Sequence, residues 1–353
     1  MSMPNKNSTP TQDARSPGPR LSSFILCLLY ACSGDSPTHP ADTTPPTTPY
    51  TLEIPAGFPP MDIPADNAMT VEGIALGQRL FFDPILSIDS TKACASCHAL
   101  ESAFSDPDAF SEGVAGRTGR NSMPLANVGW TPDLFWDGRA PSLEAQALQP
   151  VENAVEMGES WDHVVEKLER HADYPALFAQ AFDAQPITAD LVVKAIAQYE
   201  RTLISAASKF DRVMAGAAEF TAQERMGLDL FNSEKAECFH CHGTLLLTTN
   251  AFHNNGLDEV PDDSGRAMVT GSLYDAGKFK APTLRNVEYT APYMHDGRFE
   301  TLEEVVEFYN SGLRNSATVD PLMLSGTAIV LTPEEKAALV AFMKTLSDPA
   351  FAP

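Results

Sequence analysis

The chain has 353 residues, with 47 Asp or Glu against 24 Lys or Arg, for a formal net charge of -23 at pH 7. That balance argues against nucleic acid and against anionic membrane surfaces as partners. It suits a small basic redox partner, although a solvated acidic surface gives the same charge. The length accommodates two domains, each with its own core.

At the N-terminus, Arg20 precedes a short apolar run, Leu21 to Ala31, which ends at Cys32-Ser33-Gly34. A basic flank, an apolar core too short to cross a bilayer and a small residue before the break predict an export signal over 1–32. Leu29-Tyr30-Ala31-Cys32 resembles a bacterial lipobox, with Cys32 the lipidated first residue of the mature protein. Ordinary cleavage that leaves a free Cys32 is the alternative. Both put the protein outside the cytoplasm, in the periplasm, and only the first gives it membrane contact, through the lipid anchor. Residues 33–65 are dominated by Pro, Thr, Ser and Asp and are predicted to be a tether.

The first globular stretch carries Gly77-Gln78-Arg79-Leu80-Phe81 and then Cys94-Ala95-Ser96-Cys97-His98. The same order recurs as Gly227-Leu228-Asp229-Leu230-Phe231 and Cys238-Phe239-His240-Cys241-His242. Cys-x-x-Cys-His is the attachment signature of a c-type haem, in which both thiols bond the porphyrin and the His reaches the iron. A four-cysteine zinc site has no need of a His after each pair. A thiol redox pair is expected once, beside a βαβ pattern that is not visible here. Two covalent haem c groups are therefore expected, with His98 and His242 as iron ligands. The remaining cysteines of the six, Cys27 and Cys32, lie in the leader.

The repetition continues downstream. Asn127-Val128, Asp137-Gly138-Arg139 and Ser142-Leu143-Glu144 are echoed by Asn286-Val287, Asp296-Gly297-Arg298 and Thr301-Leu302-Glu303. The chain reads as a duplicated one-haem unit. Val192, Ile196, Tyr199 and Leu203 recur at helical spacing. Thr221 with Glu224, Thr301 with Glu304, and Thr332 with Glu335 each match a capping box, the last with Pro333 at the first helical position. Leu339, Phe342, Met343 and Leu346 give the terminal helix an apolar stripe. The loops 105–134 and 243–282 lack strand alternation and are expected to wrap the porphyrins.

An iron with one axial His binds ligands if its other face is open and mainly transfers electrons if it is filled. In the first half a carboxylate over an open iron could move a proton between the oxygens of bound peroxide. By spacing Glu156 and Glu152 serve equally, with Gln146 placed to position the same ligand. In the second half Leu302, Val305, Val306 and Tyr309 share a helical face, which makes Tyr309 either an axial phenolate or a core residue. Met294 and Met323 are rival axial ligands. Trp136 is an oxidisable aromatic placed where the halves should meet, as a relay or simply as packing.

Several longer motifs resemble the bacterial di-haem cytochrome c peroxidases and their MauG relatives. They are Phe135 to Ala140, Val155-Glu156-Met157, Ala281 to Val287 and Thr290 to Gly297, and the resemblance runs from about Asp66 to Leu346. It implies a mainly α fold of two cytochrome c-like helical domains, 66–215 and 216–353, each with one covalent haem. The N-terminal haem is implied to be peroxidatic, the C-terminal one to handle electrons, and a calcium ion to lie between them.

Matching positions assign Glu156, rather than Glu152, as the distal carboxylate, Gln146 as a distal amide and Trp136 as the inter-haem tryptophan. Asn121, Thr290 and Pro292 fall on the calcium positions. The loop Ser111 to Met123 contains no His, so the first iron is expected to be open without reductive activation. Tyr309 stands where peroxidases carry Met, as in MauG proteins. The function expected from the resemblance is reduction of hydrogen peroxide with electrons from a cytochrome c or copper protein. The alternatives are oxidation of a protein substrate and a non-enzymatic di-haem carrier.

Overall fold

The capping and spacing signals in the sequence lead to a mainly α-helical chain. A computed structural model describes residues 47–183, 186–324 and 329–352. Its helices are α1 (Val71–Phe82), α2 (Leu143–Glu152), α3 (Trp161–Arg170), α4 (Tyr174–Phe182), α5 (Ala189–Glu200), α6 (Lys209–Met214), α7 (Ala222–Phe231), α8 (Phe239–His242), α9 (Ala267–Thr270), α10 (Leu302–Glu307), α11 (Pro321–Leu324) and α12 (Pro333–Lys344). The expected loops are not wholly strand-free. β1 (Glu112–Gly113) pairs antiparallel with β2 (Gly116–Arg117), and β3 (Phe252–His253) with β4 (Phe279–Lys280). These ladders are too short for periodicity to reveal. The predicted export signal, Cys32 and the start of the tether lie outside the described residues.

The duplication is physical as well as sequential. In the first half α1 crosses α5, and in the second α7 crosses α12. Each crossing is closed by a glycine: a Cβ on Gly77 would lie 1.8 Å from the Ala195 carbonyl oxygen, and one on Gly227 2.0 Å from that of Ala338. Only a residue without a side chain lets the two backbones approach so closely. Thr221, Thr301 and Thr332 make the reciprocal capping boxes that their glutamates predict.

Two apolar clusters result. One gathers α1, α2, α4 and α5 around Phe81, Tyr174, Phe178 and Ile196. The other gathers α7, α10 and α12 around Phe231, Leu302, Phe342 and Leu346. Three residues cross the expected boundary at 215: Phe210 packs in the second cluster, and Phe351 and the half-buried Tyr289 pack with the first. The seam between the clusters is polar and buried. Arg285, fully buried, forks onto both oxygens of Asp211 at 2.9 Å. Ser205 donates to Asn286 Oδ1, and Asp348 accepts the amides of Ala206 and Ala207.

The stretch read as tether is fastened to the body over its described part. Trp130 Nε1 donates to the Pro59 carbonyl, Phe58 meets the Trp130 ring edge-on at 5.4 Å, and Met61 is buried. Composition averages hide two well-placed apolar side chains among prolines, which is why this attachment escaped the sequence.

Candidate active site: two cavities with a common wall

Each Cys-x-x-Cys-His motif sits on the wall of its own cavity. The first, about 700 Å³, is lined by Cys94, Cys97, His98, Gln146, Glu156 and Trp136 among others. The second, about 220 Å³, is lined by Cys238, Cys241, His242, Tyr309, Met294 and Met323 together with Trp136. All four thiols are free of disulfides. Burial pushes Cys94 and Cys238 up to about 12 and Cys241 to about 11, which keeps them as thiols.

The two histidines are held alike. His98 Nδ1 lies 3.1 Å from the Phe104 carbonyl oxygen, and His242 Nδ1 3.1 Å from that of Leu247. A carbonyl fixes the proton on Nδ1, so Nε2 is the nitrogen left for a metal. Burial lowers the pKa of both rings, His242 to about 4, so each is the neutral base an iron requires. Paired thiols, a fixed imidazole and an adjacent cavity, twice over, fit covalent haem.

Glu156 follows the C-terminus of α2, past an exposed turn. The hairpin of β1 and β2 grips it from below: Val114 N donates to the Glu156 carbonyl and Ala115 N to that of Val155. Gly113 permits this, because a Cβ there would lie 1.9 Å from the Val155 oxygen. Asn153 Nδ2 donates to Glu156 Oε1 at 2.6 Å. Burial raises the Glu156 pKa against the opposing pull of Arg139 and Asn153. Glu152, its rival by spacing, is exposed and does not line the cavity.

Tyr309 is carried on a π-helical turn, Phe308–Gly312, that widens the end of α10. Such turns recur at functional sites because they re-aim one side chain without ending the helix. Burial raises the phenol to about 12, and Asn255 Nδ2 donates to its oxygen at 3.2 Å. The same amide nitrogen lies 3.6 Å from Met294 Sδ, so Tyr309 and Met294 are held side by side. Leu302, Val305 and Val306 line the cavity with them, as their common face predicts.

Trp136 links the two halves of the site, since it borders both cavities. Its indole Nε1 donates to the Asn121 carbonyl at 2.8 Å, and its own carbonyl accepts Lys280 N at 2.8 Å. Asn121, Thr290 and Pro292 all line the second cavity, with Asn121 Nδ2 donating to the Asp108 carbonyl.

Two buried ionisable groups escaped the sequence reading. Lys280 lies on the wall of both cavities, and desolvation lowers it to about 8. Glu200, at the end of α5, lines the first cavity with Oε2 unpartnered, and burial raises it to about 8. Lys280 adjoins the motif that begins at Ala281, which was a signal. Glu200 had none, because charged residues at helix ends are common and normally solvated.

Two cavities of this make define a class, the c-type proteins that carry two haem groups on a duplicated helical frame. The family model "Di-haem cytochrome c peroxidase" matches residues 71–219. The cytochrome-c peroxidase IdrP1 of Denitromonas iodatirespirans is 37% identical over 325 residues, covering 82% of this chain and 85% of that protein. The methylamine utilization protein MauG of Methylorubrum extorquens is 37% identical over 299 residues, covering 81% and 82%. Among solved structures, a MauG-like protein associated with microbial copper homeostasis superposes with a TM-score of 0.81 at 38% identity, covering 86% of this chain and 97% of that one. The chain belongs to the di-haem cytochrome c peroxidase and MauG family, and it is a di-haem peroxidase, an oxidoreductase.

Proposed function

We propose that peroxide is reduced in the first cavity, and that the second, closed by Tyr309, passes electrons to it past Trp136. The observation that carries this reading is the sharing of walls: Trp136 borders both cavities, Glu156 only the first and Tyr309 only the second. Haem supplies the iron at which peroxide is cleaved; the chain supplies the rest. Glu156 accepts a proton from one peroxide oxygen and returns it to the other, and its partly buried site brings its pKa towards working pH. Gln146, on the same wall, orients the peroxide. Of the three candidates on the wall of the second cavity, Tyr309 rather than Met294 or Met323 would hold the second haem's iron, and as a hard oxygen donor it would favour the oxidised metal.

This arrangement is that of the MauG-like branch. Electrons come from a small cytochrome c or copper protein. A calcium ion held by Asn121 and the carbonyls of Thr290 and Pro292 is part of the proposal, supported by all three lining the second cavity. So are export to the periplasm and lipidation at Cys32, supported by the sequence of residues 20–34.

The experiment is turnover of hydrogen peroxide by the as-isolated ferric holoprotein with reduced cytochrome c. Catalysis without a pre-reduction step is expected. Activity that appears only after reduction would remove the open first iron, and none with any donor would leave the oxidase of a protein substrate or the carrier.

A further inference from the structure

Of the five large apolar side chains most exposed among the described residues, four share one segment and only Val330, at 72%, lies elsewhere. Val260, Met268, Leu273 and Tyr274 are 79%, 71%, 86% and 85% exposed, and all lie within one connection between β3 and β4. Single exposed apolar residues need no explanation, whereas a group of them on one segment marks a contact surface. In this segment α9 lies against the turn Leu273–Asp275, and Thr270 Oγ1 donates to Asp275 across it.

The segment is firmly anchored. Arg266 Nη1 donates to the carbonyls of Asp137 and Gly138 at 2.8 and 2.9 Å, the turn that follows Trp136. Arg120 forks onto Asp263 and also bonds Asp137. From the patch the chain runs through Phe279 to Lys280, whose amide donates to the Trp136 carbonyl at 2.8 Å. The exposed apolar surface is therefore one short covalent path from Lys280 and one further hydrogen bond from Trp136, both of which border the two cavities. The segment itself is acidic, with Asp258, Glu259, Asp262, Asp263 and Asp275 against one cation, Arg266; Arg298, Arg120 and Lys278 pair with Asp258, Asp263 and Asp275, so the carboxylates left to meet a partner are those of Glu259 and Asp262.

We propose that residues 258–275 are the docking surface for a small basic redox protein with an apolar electron-exit face. The proposal rests on the peroxidase reading and deepens it by naming where electrons enter. The acidic rim steers the partner and the apolar centre excludes water at the contact. Each encounter oxidises one donor by one electron. Two encounters, with two protons, convert one hydrogen peroxide to two waters.

The test is the holoprotein carrying Leu273→Lys and Tyr274→Lys, assayed with peroxide and two donors, a reduced basic cytochrome c and a small neutral dye. Both substitutions are at exposed positions that line neither cavity, so dye turnover reports that the enzyme is intact. For the cytochrome, KM should rise about tenfold or more, the loss of one good interface contact. The parent's cytochrome rate, but not its dye rate, should fall as salt screens the rim. A cytochrome KM within about twofold of the parent, with dye turnover intact, would overturn the docking surface alone. A parent inactive with both donors would overturn the peroxidase reading and the docking surface with it. A parent that is dimeric, and monomeric when substituted, would make the patch a self-contact and overturn the proposal.

Discussion

Replacing Glu156 by Gln tests the proton-carrying role with the least structural disturbance. Gln keeps the volume and still accepts the bond from Asn153 Nδ2, now 2.6 Å from Oε1, but it cannot carry a proton. General acid-base catalysis contributes about 10²- to 10⁴-fold, or roughly 3–5 kcal/mol of barrier. Burial raises this carboxyl towards working pH, where a proton carrier is most effective, so a loss of at least about 100-fold is expected. The assay is stopped-flow mixing of the ferric holoprotein with peroxide. Glu156 must be ionised to accept the proton, so the parent's rate should fall as pH drops through its raised pKa. That limb should vanish in the Gln variant. In Asn153→Ala, which removes a bond that lowers the pKa, the limb should move to higher pH. A Gln variant that reacts within a factor of about three of the parent would refute the assignment.

Gly113→Ala should displace the Glu156 segment, since its Cβ would meet the Val155 oxygen at 1.9 Å; the expected result is normal haem content with peroxide reactivity reduced at least about tenfold. Glu200 holds a proton when folded up to about pH 8 but loses it near 4.5 when unfolded. Stability therefore falls by up to ~1.4 kcal/mol per pH unit between those values, and Glu200→Gln should melt increasingly higher than the parent from pH 5 to pH 8; parallel melting curves would contradict this. Arg285→Leu leaves Asp211 without its fork and should cost about 3–5 kcal/mol in denaturant titration, with partial recovery when Asp211 is also replaced by Leu.

Much of the frame was legible because it is written in local chemistry. Capping boxes at Thr221, Thr301 and Thr332 depend on residues three apart, and the haem motifs on five consecutive ones. The glycines at 77 and 227 flagged the repeat, but their purpose, a backbone crossing, depends on Ala195 and Ala338 more than 100 positions away. For the same reason spacing alone left Glu156 equal to Glu152. What separates them is the hairpin at 112–117 holding residues 155–156, a contact that no periodicity encodes. The π-turn under Tyr309 and the buried charges of Lys280 and Glu200 are likewise products of tertiary packing. The tether misled because mean composition counts prolines and ignores where Phe58 and Met61 fall.

The central claim is that two cavities built on one plan hold their irons differently, one with a free face beside Glu156 and one capped by Tyr309. Electron paramagnetic resonance of the as-isolated ferric holoprotein, before and after one equivalent of peroxide, examines it directly. The account predicts one high-spin and one low-spin signal, the high-spin one lost on adding peroxide and the low-spin one altered in Tyr309→Phe. Two low-spin signals indifferent to peroxide, or a low-spin signal untouched by the loss of the Tyr309 hydroxyl, would contradict it.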